Sequence, residues 1–504
     1  MYRPVVGLGF FLSRRTVLAI ALTLCLVWAI HYRGPQGIDS VRDFAQLAGS
    51  GLGIGSGSGS GLGGGGGWLS SSGSSSSSSS SLSSQKQFVK RMLANDFYPQ
   101  EYNGSAVREL CGQKAKWQQG IVISCDEIAG GIGNLKMRLL GCARYAIEAG
   151  AMLIAPVIHP RLAFDKMQAS FGWDVDLPLD YVFDSEHFYA TLAHDCPQLR
   201  IINETAMRDS QAAPTDNTAD TDNTAEPPWP LAIPPKSEAH KLRPNTLVAT
   251  SMGEHVVTEP RRWRAAFDEW VRSTILDNDA LPDTTALSAA WPVRISLDEW
   301  VQFSWPNAYD GAAFKNDFGH AARIRLDIRL LAARALHRLY NRIGCRSSPH
   351  APSTNCFLGA HIRTEADAKV EGWDSYETQL LHAREQLSHH NLSVLYVATG
   401  TASDVDRLRA DLKDLRVAVN ETHDESVQVL QKWDLLADAD MMLMDTLTWD
   451  QMALVDMDIM LRASRFEGIW ESSWAWMIAL KRHEWAQEPD PYAHGVTFED
   501  GLST

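Results

Sequence analysis

Short apolar runs alternate with helical segments throughout the C-terminal third of the sequence. Strands are predicted at 357–363, 393–399, 415–419 and 464–468, and helices at 375–388, 403–412, 427–436, 450–463 and 472–483. Strands that are separated by helices usually pair in parallel, because a parallel crossover needs a dozen or more residues. We therefore predict an α/β fold with a parallel sheet in this part of the chain.

A second unit of the same kind precedes it. Gly120–Cys125 and Ala151–Ile158 are apolar strand candidates that flank a glycine-rich loop and a helix predicted at 135–148. Strand, loop, helix and strand in this order form a βαβ unit. A long amphipathic helix predicted at 321–342 joins the two units.

The order of these units predicts two Rossmann-like domains that face a cleft. The first is assigned to residues 85–320 and the second to residues 321–504. The stretch 207–240 is rich in Thr, Asp and Pro, so it is predicted to be a disordered insertion in the first domain.

The net negative charge of the chain limits which kinds of partner it is expected to bind. The 504 residues carry a formal net charge of −15, and no stripe of Lys and Arg is present. Nucleic acid is therefore not an expected partner. An acidic protein that binds an anionic ligand must do so with a few placed cations.

The N-terminal residues predict a membrane anchor. Residues 16–32 are apolar but short for a span of roughly 20 residues, and the arginines before them outnumber those that follow closely. By the positive-inside rule, residues 1–15 form a cytoplasmic tail and the rest lies in the lumen of the Golgi or endoplasmic reticulum. A cleaved signal peptide is the alternative, although no clear small-x-small site follows.

Residues 33–84 are predicted to be a flexible stem of this single-pass type II protein, because they are nearly pure Gly and Ser from residue 50.

Six cysteines lie beyond the apolar segment, an even number that suits an oxidising compartment. Local spacing predicts disulfides Cys111–Cys125 and Cys345–Cys356, which leaves Cys142–Cys196 by elimination. Asn-x-Ser/Thr sequons begin at Asn103, Asn203, Asn391 and Asn420 and agree with a lumenal location.

The predicted strand at 357–363 ends in ionisable residues. His361, Arg363 and Glu365 alternate, so they share one face if the strand continues that far. Ligands of open α/β sheets collect at the carboxyl ends of strands. These three side chains therefore predict a site that binds an anion and manages a proton, and a surface salt-bridge cluster is the alternative.

Two helix starts add candidate ligand groups. The loop Gly130-Gly131-Ile132-Gly133-Asn134 follows a strand and opens a helix, so backbone amides at Gly131 and Gly133 can approach an anion. Ser472 and Ser473 stand at the start of another helix and can offer hydroxyl and amide groups to phosphate oxygens. The alternatives are an ordinary turn at the glycines and an ordinary helix cap at the serines.

Taken together, these stretches resemble the GDP-fucose protein O-fucosyltransferase family, particularly its divergent fungal-type members. The glycine loop is similar to the family's Gly-x-x-Gly-Asn-Gln start, with Leu135 in place of Gln, and His361-Ile362-Arg363 is similar to its His-x-Arg motif. The residues from Asp450 to Trp476 resemble its donor-binding C-terminal motif, but Trp474 and Ala475 depart from the usual Ser-Ser-Phe-Ser.

The resemblance implies a GT-B fold whose C-terminal half binds GDP-fucose without a metal or other cofactor. It implies that Arg363 stabilises the diphosphate leaving group and that His361 contacts the nucleotide or positions Arg363. Ser472 and Ser473 would bind phosphate oxygens, and Asp456 the base or ribose. Transfer of the sugar to a protein or glycan acceptor would invert the anomeric centre.

Two further residues are predicted to be catalytic. Asn134 falls on the Asn that the family has at the sugar and acceptor. Glu365 is proposed from strand geometry as the base, and pairing with Arg363 is its alternative.

Two other functions remain open. A metal-dependent GT-A transferase would need a carboxylate pair around a divalent cation. Asp-x-Asp occurs at Asp174/Asp176, Asp277/Asp279, Asp438/Asp440 and Asp456/Asp458. A lumenal sugar-nucleotide- or glycan-binding protein without turnover is the non-enzymatic alternative. A hydrolase is disfavoured, because neither G-x-S-x-G nor H-E-x-x-H is present.

Overall fold

The computed structural model describes residues 76–486 and 501–503, except 99, 127, 160–174, 204–232, 249–256, 278–286, 288–291, 298–304 and 421–422. The predicted cytoplasmic tail, the signal anchor at 16–32 and the stem as far as residue 75 lie outside these residues. Within them, none of the helices combines the length and the apolar character that a membrane span needs. Helix α1 begins at Ser76, so the last nine residues of the predicted stem are helical.

The first half of the described chain contains five strands and six helices. The strands are β1 Ile121–Ser124, β2 Met152–Ile154, β3 Ile201–Ile202, β4 His240–Leu242 and β5 Val293–Leu297. The helices are α1 Ser76–Ala94, α2 Ser105–Glu109, α3 Ile132–Ala149, α4 Ser185–Asp195, α5 Pro260–Val271 and α6 Asn307–Ala321.

The second half begins with the joining helix and continues with strands and helices in alternation. Its helices are α7 Leu326–Ile343, α8 Ala366–Val370, α9 Tyr376–His389, α10 Ala402–Leu412, α11 Asp438–Met444, α12 Trp449–Met460 and α13 Ser473–Ala486. Its strands are β6 Leu358–His361, β7 Val394–Ala398, β8 Arg416–Asn420, β9 His423–Ser426, β10 Gln428–Leu430, β11 Arg465–Ile469 and β12 Gly501–Ser503.

Two five-stranded sheets organise the described residues. Their strand orders are β3-β2-β1-β5-β4 and β10-β7-β6-β11-β12, and every pairing in both sheets is parallel. Every residue of β1, β5 and β7 is buried, as expected for strands that are covered on both faces. The predicted α/β class with parallel sheets is confirmed.

Helix α7 joins the halves and lies in the core. Most of its residues from Ile328 to Tyr340 are buried, and it packs against α1 and α12. Asp327 lies in its first turn, and Gly344 ends it with a left-handed φ of 68°, a conformation that glycine adopts without strain. The expected helix at 321–342 is therefore present but begins later.

Two local predictions differ from the structure. The helix predicted at 427–436 is wrong, because Gln428–Leu430 forms β10 and pairs in parallel with β7. The run Val427-x-Val429 alternates apolar and polar residues, which suits a strand at the sheet edge. The predicted disordered insertion ends in ordered elements, a 3₁₀ turn at Lys236–Glu238 and then β4. Its residues 207–232 lie outside the described part of the chain.

The disulfides pair through tertiary packing. Cys345–Cys356 is present as predicted. The pairs Cys111–Cys125 and Cys142–Cys196 are wrong, since the structure forms Cys111–Cys196 and Cys125–Cys142. Cys125 directly follows β1, and Cys142 lies on the buried face of α3, the helix that packs on β1. Spacing in the sequence does not reveal which cysteine faces that helix.

Removal of the Cys111–Cys196 disulfide is expected to destabilise the protein most. It joins residues 85 positions apart, whereas Cys345 and Cys356 are 11 apart. In the chain-entropy model, the longer loop contributes about 4–5 kcal/mol and the shorter about 3 kcal/mol. Denaturant unfolding of the two double Cys→Ser variants measures the difference. Equal losses would show that native-state terms outweigh loop entropy.

Candidate functional site

Strand β6 lies in the middle of the second sheet, between β7 and β11. A Cβ atom at Gly359 would lie 3.1 Å from Ala463 Cβ and 3.2 Å from Met460 Cγ. Glycine at this position therefore lets the end of α12 approach the strand. The strand ends at His361, so the predicted alternation of three side chains on one face does not extend to Glu365.

Arg363 follows the strand and is held at its backbone and at its guanidinium. Gln379 of α9 accepts from the Arg363 amide at 2.8 Å and donates to its carbonyl at 2.9 Å. The guanidinium forms ion pairs with Glu365 and with Asp367, the second at 2.6 Å. Only 10% of the Arg363 side chain is exposed. The guanidinium is thus well positioned, but its fork is occupied by carboxylates.

Glu365 is anchored more firmly than Asp367. Its Oε1 accepts from the Gly400 amide at 2.8 Å, and its Oε2 accepts from the Thr364 amide at 3.0 Å as well as from Arg363. Asp367 Oδ1 is buried without a hydrogen-bond partner among the described residues. The structure therefore places Glu365 as the pairing partner of Arg363, the alternative to its predicted role as the base.

His361 packs against the start of α13. Its ring centroid lies 4.4 Å from that of Trp474. Burial lowers the pKa of His361 to about 3, and the positive charge of Arg363 adds to the shift. The imidazole is therefore neutral at pH 7. His361 Nδ1 and Trp474 Nε1 are both buried and lack hydrogen-bond partners within the described chain.

The glycine loop opens α3, as predicted. Gly131 precedes the first helical residue with an extended backbone, and Gly130 has a φ of 114°, which side chains disfavour. A Cβ at Gly130 would lie 2.9 Å from Asn134 Nδ2, so the Asn134 amide folds back over the loop. Asn134 Oδ1 is buried and has no hydrogen-bond partner in the described structure.

Gly133 brings the starts of α3 and α13 into contact. A Cβ at Gly133 would lie 2.7 Å from the carbonyl oxygen of Ser473, a distance at which backbone would have to move. Each helix start carries amide groups without intrahelical partners and a partial positive charge. The contact therefore places two such helix starts side by side.

Ser472 caps α13. Its hydroxyl accepts from the Ala475 amide at 3.4 Å, and only 5% of the residue is exposed. This is the helix-cap alternative to the predicted phosphate contact. Ser473 is half-buried and is the first residue of α13.

Asp456 lies in a buried network away from solvent. Tyr396 donates to its Oδ1 at 2.7 Å, and the Lys432 ammonium bonds its Oδ2. Asp456 is 3% exposed, and the neighbouring carboxylate and burial raise the pKa of Tyr396 well above its usual range. The pairing holds α12 against β7 and does not present Asp456 to a base or ribose.

Several of the Asp-x-Asp carboxylates that the structure describes pair with cations. Asp440 pairs with Arg334 and Arg338, each at 2.6 Å, and Asp458 pairs with Arg462. Nowhere in the described chain do three or more His, Cys, Asp or Glu side chains gather as a metal site requires. Asp174 and Asp279 lie outside the described residues.

Three predicted stretches therefore meet. Gly133 contacts Ser473, and Trp474 of the same helix contacts His361, two residues from Arg363. Asp456 does not join them. Gln379 belongs to no sequence motif that would mark it for this site, and Trp474 stands out in the sequence only as a departure from a family pattern.

Comparisons with known proteins give the following results. No protein-family model and no curated protein matches the sequence. Solved structures that resemble it include POFUT1 in complex with GDP-fucose, 12% identical with a TM-score of 0.39, covering 75% of this chain and 97% of that one. Fucosyltransferase NodZ from Bradyrhizobium is 15% identical with a TM-score of 0.34, covering 73% and 94%.

Gly133→Ala is expected to destabilise the protein and separate the two helix starts. The added Cβ meets a backbone carbonyl at 2.7 Å, and overpacking of this kind costs about 1–3 kcal/mol. Gly112→Ala is the matched control, because a Cβ there meets no atom within 4 Å. Thermal unfolding of both variants tests the contact. An unchanged midpoint for Gly133→Ala would contradict it.

Proposed function

We propose that the chain is a glycosyltransferase that uses a nucleotide-sugar donor. The observation that carries the proposal is the meeting of two helix starts with the end of β6. Gly133 touches Ser473, and Trp474 packs on His361, which lies two residues before Arg363. In open α/β structures, the carboxyl ends of strands are where nucleotides bind.

The local charges suit a diphosphate. The helix starts contribute partial positive charge and free amide groups, and Arg363 contributes a full charge in a planar fork. Glu365 and Asp367 already pair with this guanidinium, so a diphosphate would exchange for carboxylates that Arg363 binds. A diphosphate that gains charge as the glycosidic bond breaks is the type of leaving group that such fixed donors stabilise.

The acceptor hydroxyl requires a polar neighbour. Asn134 has a buried oxygen without a partner in the described structure and lies beside the Gly133–Ser473 contact, so we assign it to orienting the acceptor or the sugar. His361 is neutral, and a pKa of about 3 makes it a weak base. Its role is therefore to pack and orient Trp474 and Arg363.

The finer features of the proposal rest on the motif resemblance. They are membership of the O-fucosyltransferase family in its divergent fungal-type branch, a GT-B arrangement with a cleft, GDP-fucose as the donor and inversion without a metal. A protein or glycan acceptor, a membrane anchor at 16–32 and a lumenal location in the Golgi or endoplasmic reticulum belong to the same proposal. The sequons and the three disulfides support the lumenal location.

One observation favours the binding-only alternative. The Arg363 fork is occupied by Glu365 and Asp367. An Arg363 that stayed on these carboxylates would not stabilise a leaving diphosphate, and the protein would then bind its ligand through other groups without turnover.

Arg363→Ala is expected to weaken GDP binding by about tenfold to a hundredfold, the cost of losing charge-assisted hydrogen bonds. Titration calorimetry in EDTA measures the affinity, and Arg407→Ala is the control, because Arg407 pairs only with exposed acids and the Tyr376 ring. Turnover of GDP-fucose with an acceptor separates the enzyme from the binding-only protein. A requirement for Mn²⁺ or Mg²⁺ would favour the GT-A alternative, and absence of GDP binding by the wild type would refute the proposal.

Asp367→Asn and Glu365→Gln are expected to change GDP affinity in opposite directions. Asp367 has no anchor besides Arg363 among the contacts described, so its loss frees one side of the fork and should tighten binding about threefold to tenfold. Glu365 also binds the Gly400 and Thr364 amides, so its loss should displace Arg363 and weaken binding. Equal effects of the two variants would show that Glu365 does not position the guanidinium.

A further inference from the structure

The backbone of Arg363 begins where the hydrogen bonds between β6 and β7 end. The amide of Ile362 still donates to the Ala398 carbonyl at 2.9 Å, so the ladder between the two strands reaches Ile362. Arg363 is the next residue, and it is buried. Its amide and carbonyl therefore need hydrogen-bond partners from another part of the protein.

One side chain of α9 supplies both partners. Gln379 Oε1 accepts from the Arg363 amide at 2.8 Å, and Gln379 Nε2 donates to the Arg363 carbonyl at 2.9 Å. The same Nε2 also donates to the Asp374 carbonyl at 2.8 Å. A primary amide combines an acceptor with two donor hydrogens, so this arrangement uses the oxygen and both hydrogens. Only glutamine and asparagine carry such a group, and asparagine is one methylene shorter.

Gln379 is a polar residue on the buried face of its helix. Helix α9 buries four residues spaced three or four positions apart: Tyr376, Gln379, Ala383 and Leu387. This spacing is the one that faces a helix toward the core. A polar side chain at such a position is costly unless its hydrogen bonds are made. The contacts with Arg363 and Asp374 therefore explain why glutamine is compatible with this position.

The first turn of α9, which carries Gln379, is fixed by a helix cap. The Ser375 hydroxyl accepts from the Thr378 amide at 3.2 Å, and the Gln379 amide donates to the Ser375 carbonyl at 3.1 Å. A capped first turn does not fray easily. Gln379 therefore extends from a rigid element, and a functional group is held most precisely by such elements.

We propose that Gln379 is a positioning residue of the donor site, which sets the place of the Arg363 guanidinium through the Arg363 backbone and does not contact the ligand. This inference rests on the proposed function, because the guanidinium is there assigned to the diphosphate. Without the amide, the buried N–H and C=O groups of Arg363 would lose their partners, and the backbone would move to find others. A displacement of about 1 Å is enough to weaken a bidentate contact with phosphate oxygens.

Gln379→Met tests the proposal, because methionine is similar in size and lacks the amide. In the full chain, we expect calorimetry to give a GDP affinity about tenfold below that of the wild type. The measurement is made at a temperature where circular dichroism shows both proteins to be folded. Gln118→Met is the matched control, since Gln118 Nε2 donates to the Ala149 carbonyl at 3.0 Å, at the opposite end of α3 from Gly133. This control should leave the GDP affinity unchanged.

A double-mutant cycle separates positioning from a general loss of structure. If Gln379 acts through Arg363, Gln379→Met should change the GDP affinity by less than about twofold in an Arg363→Ala background. An equal loss in both backgrounds would show that Gln379 acts on the fold as a whole, and it would overturn the proposal. A GDP affinity that Gln379→Met alone does not change would also overturn it.

The same experiment distinguishes failure of this inference from failure of the proposed function. In both overturning results the wild type still binds GDP, so only the positioning role of Gln379 is lost. Absence of GDP binding by the wild type would refute the proposed function and the positioning role together. If Gln379→Met does not fold, Gln379→Asn takes its place in the cycle, because the shorter amide does not reach both backbone groups of Arg363.

Discussion

The contact between Gly133 and Ser473 determines how the functional parts are arranged. Each half of the chain builds its own parallel sheet, and one hydrophobic core runs through both halves. The approach of the α3 start to the α13 start, possible only without a Cβ at Gly133, joins a loop of the first half to a helix of the second. Trp474, which follows Ser473 in α13, packs against His361 at the end of β6. Gly133, predicted from the sequence to let an anion approach or to form an ordinary turn, is therefore also a packing residue.

The carboxylates around Arg363 reflect a general problem of acidic proteins. A nearly buried guanidinium needs a counter-charge, because an uncompensated charge in a low-dielectric site is costly. Glu365 and Asp367 supply it in the absence of a ligand, and a diphosphate would replace at least one of them. The same pairs that stabilise the guanidinium therefore oppose binding of a diphosphate. Glu365 also binds the Gly400 and Thr364 amides, whereas Asp367 is held by Arg363 alone among the contacts described. We therefore expect the diphosphate to replace Asp367.

The sequence predicted what depends on local periodicity. The strands at β6, β7 and β11 and the parallel pairing follow from apolar runs separated by amphipathic helices. What it could not predict depends on distant contacts. Cys142 forms its disulfide with Cys125 because α3 packs on β1, and Asp456 is buried because Tyr396 and Lys432 reach it from other elements. Neither the Cys125–Cys142 pairing nor the burial of Asp456 can be read from the spacing of residues along the chain.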